Sequence, residues 1–256
     1  MREYSNLAWP GTPYGGSRRP FPRQRRLLTG FAVQWADDGE NAVPLAAAAV
    51  FLSVHRTAVT VLDPATADAG YRVVVADGDL ESSGVVDVVD QVLVQARRHS
   101  AGIGWHSYPD DAHALAARAV GRTPGITAVA EAWTDRTVCD RGTAQLTDTA
   151  DDLGLTGRPV PLVAAEHNLR CPVGPGGLLT PPALQELYET NTPAKAAEDY
   201  GSSALVQALT VTLLAGHARE LLSWPDGFNV GQLAATLAWD HFPTAFNTAP
   251  TAAAAQ

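Results

Sequence analysis

From Leu27 onward the chain alternates short apolar runs with turn residues. The runs LLTGFAVQWA (27–36), VPLAAAAVFLSV (43–54), TAVTVLD (57–63) and YRVVVAD (71–77) are rich in β-branched and small apolar residues. Such runs, bounded by Gly, Asp, Asn or Pro, predict consecutive strands. The period then changes. In VVDVVDQVLVQARR (85–98) the apolar positions 85, 86, 89, 92 and 93 share one helical face. The pattern next predicts a strand at AGIGW (101–105), a helix over DDAHALAARAVG (110–121) that starts near Asp110 or Asp111, and a strand at ITAVAEAW (126–133). CDRGTAQLTDTADDLGL (139–155) reads as a helix closing on Gly154, and residues 156–182, rich in Pro and Gly, as a long loop. Two further helices follow, SSALVQALTVTLLAGHARELL (202–222) and VGQLAATLAWDHF (230–242). Strands first, then alternating helices and strands, predict an α/β or α+β domain with a mixed sheet.

The two ends carry no such period. Residues 1–28 mix Pro, Gly, isolated aromatics and Arg2, Arg18, Arg19, Arg23, Arg25 and Arg26 against the single acid Glu3, which predicts a flexible arm. Residues 247–256 predict a disordered tail, leaving 29–246 as the domain. The overall charge of −9 therefore hides an asymmetry, a basic arm on an acidic body. Clustered arginines release counterions on meeting a phosphate backbone, so Arg18, Arg19, Arg23, Arg25 and Arg26 are candidate nucleic-acid contacts. A solvated tail, or an arm docked on its own acidic body, accounts for the same residues.

No apolar run reaches the roughly 18 to 20 residues of a membrane span. The expectation is a cytoplasmic protein with no membrane partner. Two cysteines, Cys139 and Cys171, make no disulfide framework, and with His167 they lack the close spacing of a zinc site. No G-x-S-x-G occurs, and VGPGGLL (173–179) lacks the Lys-Ser/Thr of a phosphate-binding loop.

One motif invites a sharper reading. VVVADGDLESSG (73–84) leads from a strand into two acids spaced D-x-E, Asp79 and Glu81. Further on, GWHSYPDDAHAL (104–115) is similar to the G-H-N-x-x-F-D-x-x-x-L motif of DEDD-type 3′–5′ exonucleases, with His106 on the His, Asp111 on the catalytic Asp and Leu115 on the Leu. The order of elements over about residues 27–222 resembles that family as well. The resemblance implies a ribonuclease H-like α/β fold, a mixed sheet flanked by helices with additional C-terminal helices. It also implies four carboxylates that hold two Mg2+ or Mn2+ ions for phosphodiester hydrolysis.

Aligned by element order, however, FAVQWAD (31–37) puts Gln34 and Ala36 on the D-x-E positions. The last motif, SSALVQA (202–208), puts Gln207 on the fourth acid and Ser202 on the water-orienting His or Tyr. A neutral amide does not replace a carboxylate on paired divalent ions. In this register Gln34, Ala36, Asp111 and Gln207 form a vestigial site, and Asp79, Glu81 and Ser83 belong to a helix N-terminus. Aligned by letters instead, Asp79, Glu81 and Asp111 with Asp199 make a noncanonical acidic site. In either register Asp111 is the candidate metal ligand.

Three functions follow as expectations. The first is a catalytically degenerate exonuclease-like domain, a pseudoenzyme without cofactor that binds nucleic acid or acts as an accessory protein in DNA/RNA maintenance. The second is an active metal-dependent 3′–5′ exonuclease, requiring Mg2+ or Mn2+. The third is an interaction scaffold for a protein partner.

Overall fold

The computed structural model describes residues 1–7, 24–36, 42–78, 81–136, 144–190, 192, 195 and 197–242. Its centre is a six-stranded mixed sheet made of β1 (Arg2–Ser5), β2 (Arg25–Ala36), β3 (Val43–His55), β5 (Ala69–Val75), β6 (Ser100–Trp105) and β7 (Gln145–Asp148). The order across the sheet is β1-β5-β3-β2-β6-β7. β3 runs antiparallel to both β2 and β5, whereas β6 lies parallel to β2 and β7 parallel to β6. The C-terminal ends of β2, β5, β6 and β7 therefore share one edge of the sheet.

Both faces of the sheet are covered, which explains why β2 and β3 read as nearly continuous apolar runs rather than alternating ones. On one face lie α1 (Ser82–His99), α2 (Tyr108–Arg118) and α3 (Pro124–Trp133), around a core that includes Phe31, Phe51, Leu93, Ile103 and Trp105. On the other face α6 (Ser202–Ala218) crosses β2, β3 and β6. α6 is buried on nearly every side, because α4 (Val160–Glu166) and α7 (Val230–Ala235) cover its outer surface. A helix apolar all round belongs in such a place. α5 (Pro181–Thr190) and a single π-turn at Ala197–Gly201 lead into α6.

Several sequence expectations change here. The segment 126–133 is helical, not a strand. Ile126, Val129 and Trp133 are its buried residues, a spacing of three and four, and Pro124 opens the helix where its missing N–H costs nothing. The segment 139–155 contains no helix among its described residues. Leu146, Thr147 and Asp148 are consecutively buried in β7, and turns follow up to Gly154, which has φ +71°. Within 57–63 only Thr60–Val61 is strand (β4), paired with β9 (Leu222–Ser223) outside the main sheet. The expected loop at 156–182 contains α4 and β8 (Leu169–Arg170), the latter paired with β10 (Phe228–Asn229).

The arm expected over 1–28 is ordered structure at both described ends. Arg2–Ser5 pairs with Val75–Arg72 as the edge strand, and Arg25–Leu28 belongs to β2. Composition misled because these segments supply backbone hydrogen bonds, which Arg and Pro content does not report. Arg18, Arg19, Arg23 and the tail 247–256 lie outside the described residues. Among the described residues no helix is long and apolar enough to cross a membrane.

Candidate functional site

In an open sheet with parallel strands, ligands gather where the chain order reverses, beyond the C-terminal ends of the strands. Here that place is the junction of β2 and β6. β2 ends in Gln34, Trp35 and Ala36, and β6 ends in Trp105 followed by His106 and Ser107.

Successive residues of a strand point to opposite faces. Gln34 faces α6, where its Nε2 donates to Gln207 Oε1 at 2.6 Å and its Oε1 accepts from Ser203 Oγ at 3.0 Å. Ser203 Oγ in turn accepts from the Leu179 amide at 3.0 Å. With the Ser203 hydroxyl donating to Gln34 Oε1, the Gln34 amide presents its NH2 to Gln207. Gln34 is only 2% exposed, and both of its amide heavy atoms are satisfied. Ala36 is fully buried in the core on the same face.

Trp35 packs with the core of the other face, and there the carboxyl of Asp111 is held between two indoles. Trp35 Nε1 donates to Oδ1 at 2.8 Å and Trp105 Nε1 to Oδ2 at 2.6 Å. Asp111 reaches this place from the first turn of α2. α2 starts at once after β6 because Ser107 turns the chain in the left-handed region, φ 57°, ψ 48°, with Pro109 in the first turn. A non-glycine residue there costs about 1–2 kcal/mol. Burial pushes the Asp111 carboxyl up to about 7; the indole donors oppose this, and Asp110 and Asp148 add to it.

Beside this carboxyl, His106 Nε2 lies 2.8 Å from Arg158 O and Nδ1 lies 3.0 Å from Thr149 Oγ1. A carbonyl only accepts, so Nε2 carries the proton in the neutral ring. Burial holds His106 below the usual histidine range, which favours that neutral form. Asp148 Oδ1 accepts from the amides of Ala150 at 2.9 Å, Ser107 at 3.3 Å and Asp151 at 3.4 Å, tying the end of β7 to the start of α2. Below it, Asp152 receives Arg136 at 3.1 Å, Arg219 at 3.3 Å and the Asp148 amide at 3.1 Å. These side chains are only 17–20% exposed, so water screens the network partially. Asp152→Ala removes one partner from each of two guanidinium groups, Arg136 keeping Asp151 and Arg219 keeping Thr147 Oγ1 and Leu146 O, and a loss of about 1–2 kcal/mol of stability is expected. Urea midpoints measure it, and a midpoint equal to wild type would mean that solvent already screens the cluster.

The structure therefore brings Gln34 and Gln207 into direct contact with Ala36 on their face, and places Asp111 on the opposite face. Ser202, aligned with the water-orienting residue, instead accepts from Trp239 Nε1 at 2.9 Å in the interior. Of the letter-based set, Glu81, Asp111 and Asp199 do not come together as a metal site among the described residues. Asp79 lies outside the described residues. Glu81 accepts the Asp77 amide at 2.9 Å and pairs with the Met1 ammonium, while Asp77 is bound by Arg2. No side chain caps α1, so Ser83 is not its cap. Asp199 sits in the π-turn before α6. Among the described residues, no three His, Cys, Asp or Glu side chains come together as a metal site. Cys171, with Sγ 3.4 Å from Thr210 Oγ1, is pushed up to about 11 by burial, which keeps the thiol protonated. His113 is exposed.

The residues present do not fit two magnesium ions. An amide nitrogen has no lone pair for a cation, Gln34 Oε1 and Gln207 Oε1 each already accept from a donor, and the pair brings no negative charge. No motif in the sequence points to Trp35, Trp105, Ser203, Asp148 or Asp152. A usable signal was present, however: tryptophans at or next to the ends of two strands, each with an indole N–H that needs an acceptor once buried.

Comparison with protein-family models, with curated proteins and with solved structures finds no match.

Proposed function

We propose that the chain is a ribonuclease H-like domain of DEDD-exonuclease type that has lost its metal site and acts as a noncatalytic nucleic-acid-binding or accessory protein in DNA/RNA maintenance. Two features support the fold assignment. One is the strand order β5-β3-β2-β6-β7 with only β3 reversed; the other is a late helix, α6, laid across the first central strand. The observation that carries the functional reading is the Gln34–Gln207 hydrogen bond of 2.6 Å. These are the positions that the element-order register assigns to the first and last acids. An amide pair satisfies itself where two carboxylates would repel one another and need a cation between them. What persists is a buried polar pair at the strand end, without the charge for two-metal hydrolysis.

The test is to incubate the full chain with 5′-labelled DNA and RNA oligonucleotides in Mg2+, Mn2+ or EDTA, following shortening on gels and binding by anisotropy. No shortening is expected, with binding that EDTA leaves unchanged. Metal-dependent shortening abolished by Asp111→Ala would establish an active exonuclease instead. Absence of binding at low salt would favour a protein-interaction scaffold.

A further inference from the structure

The opposite edge of the sheet carries a different chemistry. β2 begins there with Arg25 and Arg26, and β3 ends there with His55, followed by Arg56. α1 delivers Arg97, Arg98 and His99 to the same edge before turning into β6 at Ser100, which pairs with Leu27. The Arg56 amide is tied to the start of β2 by its bond to Gln24 O at 2.8 Å. Arg26 and Arg56 lie near enough for each charge to work against the other.

Acids outnumber bases 27 to 18 in the chain. Yet among the described residues none of Arg25, Arg26, Arg56, Arg97 and Arg98 forms an ion pair. Arg25 and Arg97 donate to carbonyls, of Ser53 at 3.3 Å and Ala144 at 3.4 Å, and the Nε of Arg26 is buried without a partner. Of the acids nearest to Arg56 in the chain, Asp63 accepts the amide of Ala65 in its own turn, and Asp68, whose carbonyl accepts the Ser53 amide at 2.9 Å, forms no ion pair among the described residues.

Part of this cluster has an ordinary cause: cations in the last turn of α1 complement the helix dipole. That cause does not reach Arg25, Arg26 and Arg56, which flank strand ends. Like charges gathered without acids work against the compact state unless a polyanion offsets them. The pleat turns Arg26 and Arg56 to the α6 face and Arg25 to the face of α1, which carries Arg97 and Arg98, so these groups flank a row of strand ends about 4.8 Å apart along the rim of the sheet rather than lining a pocket. A row fits a repeating line of phosphates better than one small anion. A lipid surface fits less well. The exposed large apolar residues nearest to Arg56 in sequence are Val59 and Val61, and two valines supply little to insert.

We infer that this edge, built from Arg25, Arg26, Arg56, Arg97 and Arg98, is the surface that takes a nucleic-acid backbone, at the opposite end of the sheet from the Gln34–Gln207 pair. The inference rests on the nucleic-acid-binding reading above and deepens it, because contact then needs neither a metal nor the Gln34–Gln207 end of the sheet.

The test is anisotropy of labelled single-stranded DNA over a salt series, comparing wild type with Arg56→Glu/Arg98→Glu, both exposed, and with a charge-matched control, Arg122→Glu/Arg170→Glu, also exposed. Circular dichroism checks folding, and Arg56→Ala/Arg98→Ala replaces the reversal pair if that pair does not fold. The expected result is binding weakened about 10-fold or more, with the salt slope shallower by about 2, in the edge variant and not in the control. Wild-type affinity in the edge variant, or equal loss in both variants, overturns the inference and leaves the nucleic-acid reading standing. A wild-type chain that does not bind even at low salt removes both.

Discussion

Asp111→Asn is expected to flatten the dependence of stability on pH between about 4 and 7. The folded carboxyl is raised to about 7 from an ordinary 3.8, chiefly by burial. Below the lower value both folded and unfolded chains hold the proton, and the stability it contributes is fully present. As pH rises through the window, the unfolded chain has lost a proton that the folded chain still holds. Stability therefore falls, and it levels off once the folded group ionises. The full shift would correspond to about 4 kcal/mol; because Asp111 keeps some exposure, about 2 kcal/mol is the reasonable expectation.

Asparagine cannot titrate, and it turns an NH2 toward one of the two indole N–H groups that Asp111 accepts, donor against donor. Such a mismatch costs about 1–3 kcal/mol. The variant should be the less stable protein at pH 5 and should approach or match wild type at pH 8. Asp90, whose carboxyl is also raised by burial, contributes a slope of the same sign, but it is common to both proteins and cancels in the difference. Denaturant midpoints across pH measure this, and parallel profiles for the two proteins would contradict it.

Gly30→Ala should be the more damaging change, although alanine in a strand is ordinarily favoured over glycine by roughly 0.5–1 kcal/mol. A methyl at position 30 would overlap Thr212 Oγ1 and stand 2.6 Å from both Ala208 O and Thr212 N. Two of these three atoms are backbone of α6, so no rotamer change relieves the overlap and the helix must lift from the sheet. Next to it, a methyl on Gly104 would stand 2.5 Å from Ala215 Cβ. The two glycines thus form the furrow in which α6 lies. A loss of about 3 kcal/mol or more is expected. Thr212→Ala should not rescue it, because the clashes with the backbone remain. Gly121→Ala, where nothing lies within 4 Å, is the control and should change little. An undisturbed thermal midpoint for Gly30→Ala would mean that α6 is not seated as described.

The same seating determines the character of the candidate site, since α6 carries Ser203 and Gln207 against Gln34. Much of it was legible in the pattern. Runs of β-branched residues located β2, β3, β5 and β6, a period of 3.6 located α1, and α6 was legible as a long apolar segment, although it is buried all round and carries no period. The errors fell on short segments. In 126–133 the three buried residues Ile126, Val129 and Trp133 stand among alanines that suit either element, and 145–148 is only four residues long, too short for a period to show. Arg2–Ser5 is an edge strand, held by backbone hydrogen bonds rather than by an apolar face, and it left no pattern at all.

The residue types at the candidate site are read from the sequence alone: neutral at Gln34, Ala36 and Gln207, acidic at Asp111. Which of them meet is not. Gln34 and Trp35 are neighbours in the chain and point to opposite faces, so one contacts α6 and the other the Asp111 carboxyl. Glu81, the most conspicuous acid of the D-x-E, is turned onto the Asp77 amide and the Met1 ammonium. Composition and periodicity are properties of neighbouring residues, and they suffice to choose strands, helices and the charge available. Pairing a side chain at 34 with one at 207, or gathering Arg25, Arg56 and Arg98 on one edge, depends on how the sheet is ordered and which face each helix covers. Only the packed chain holds that information.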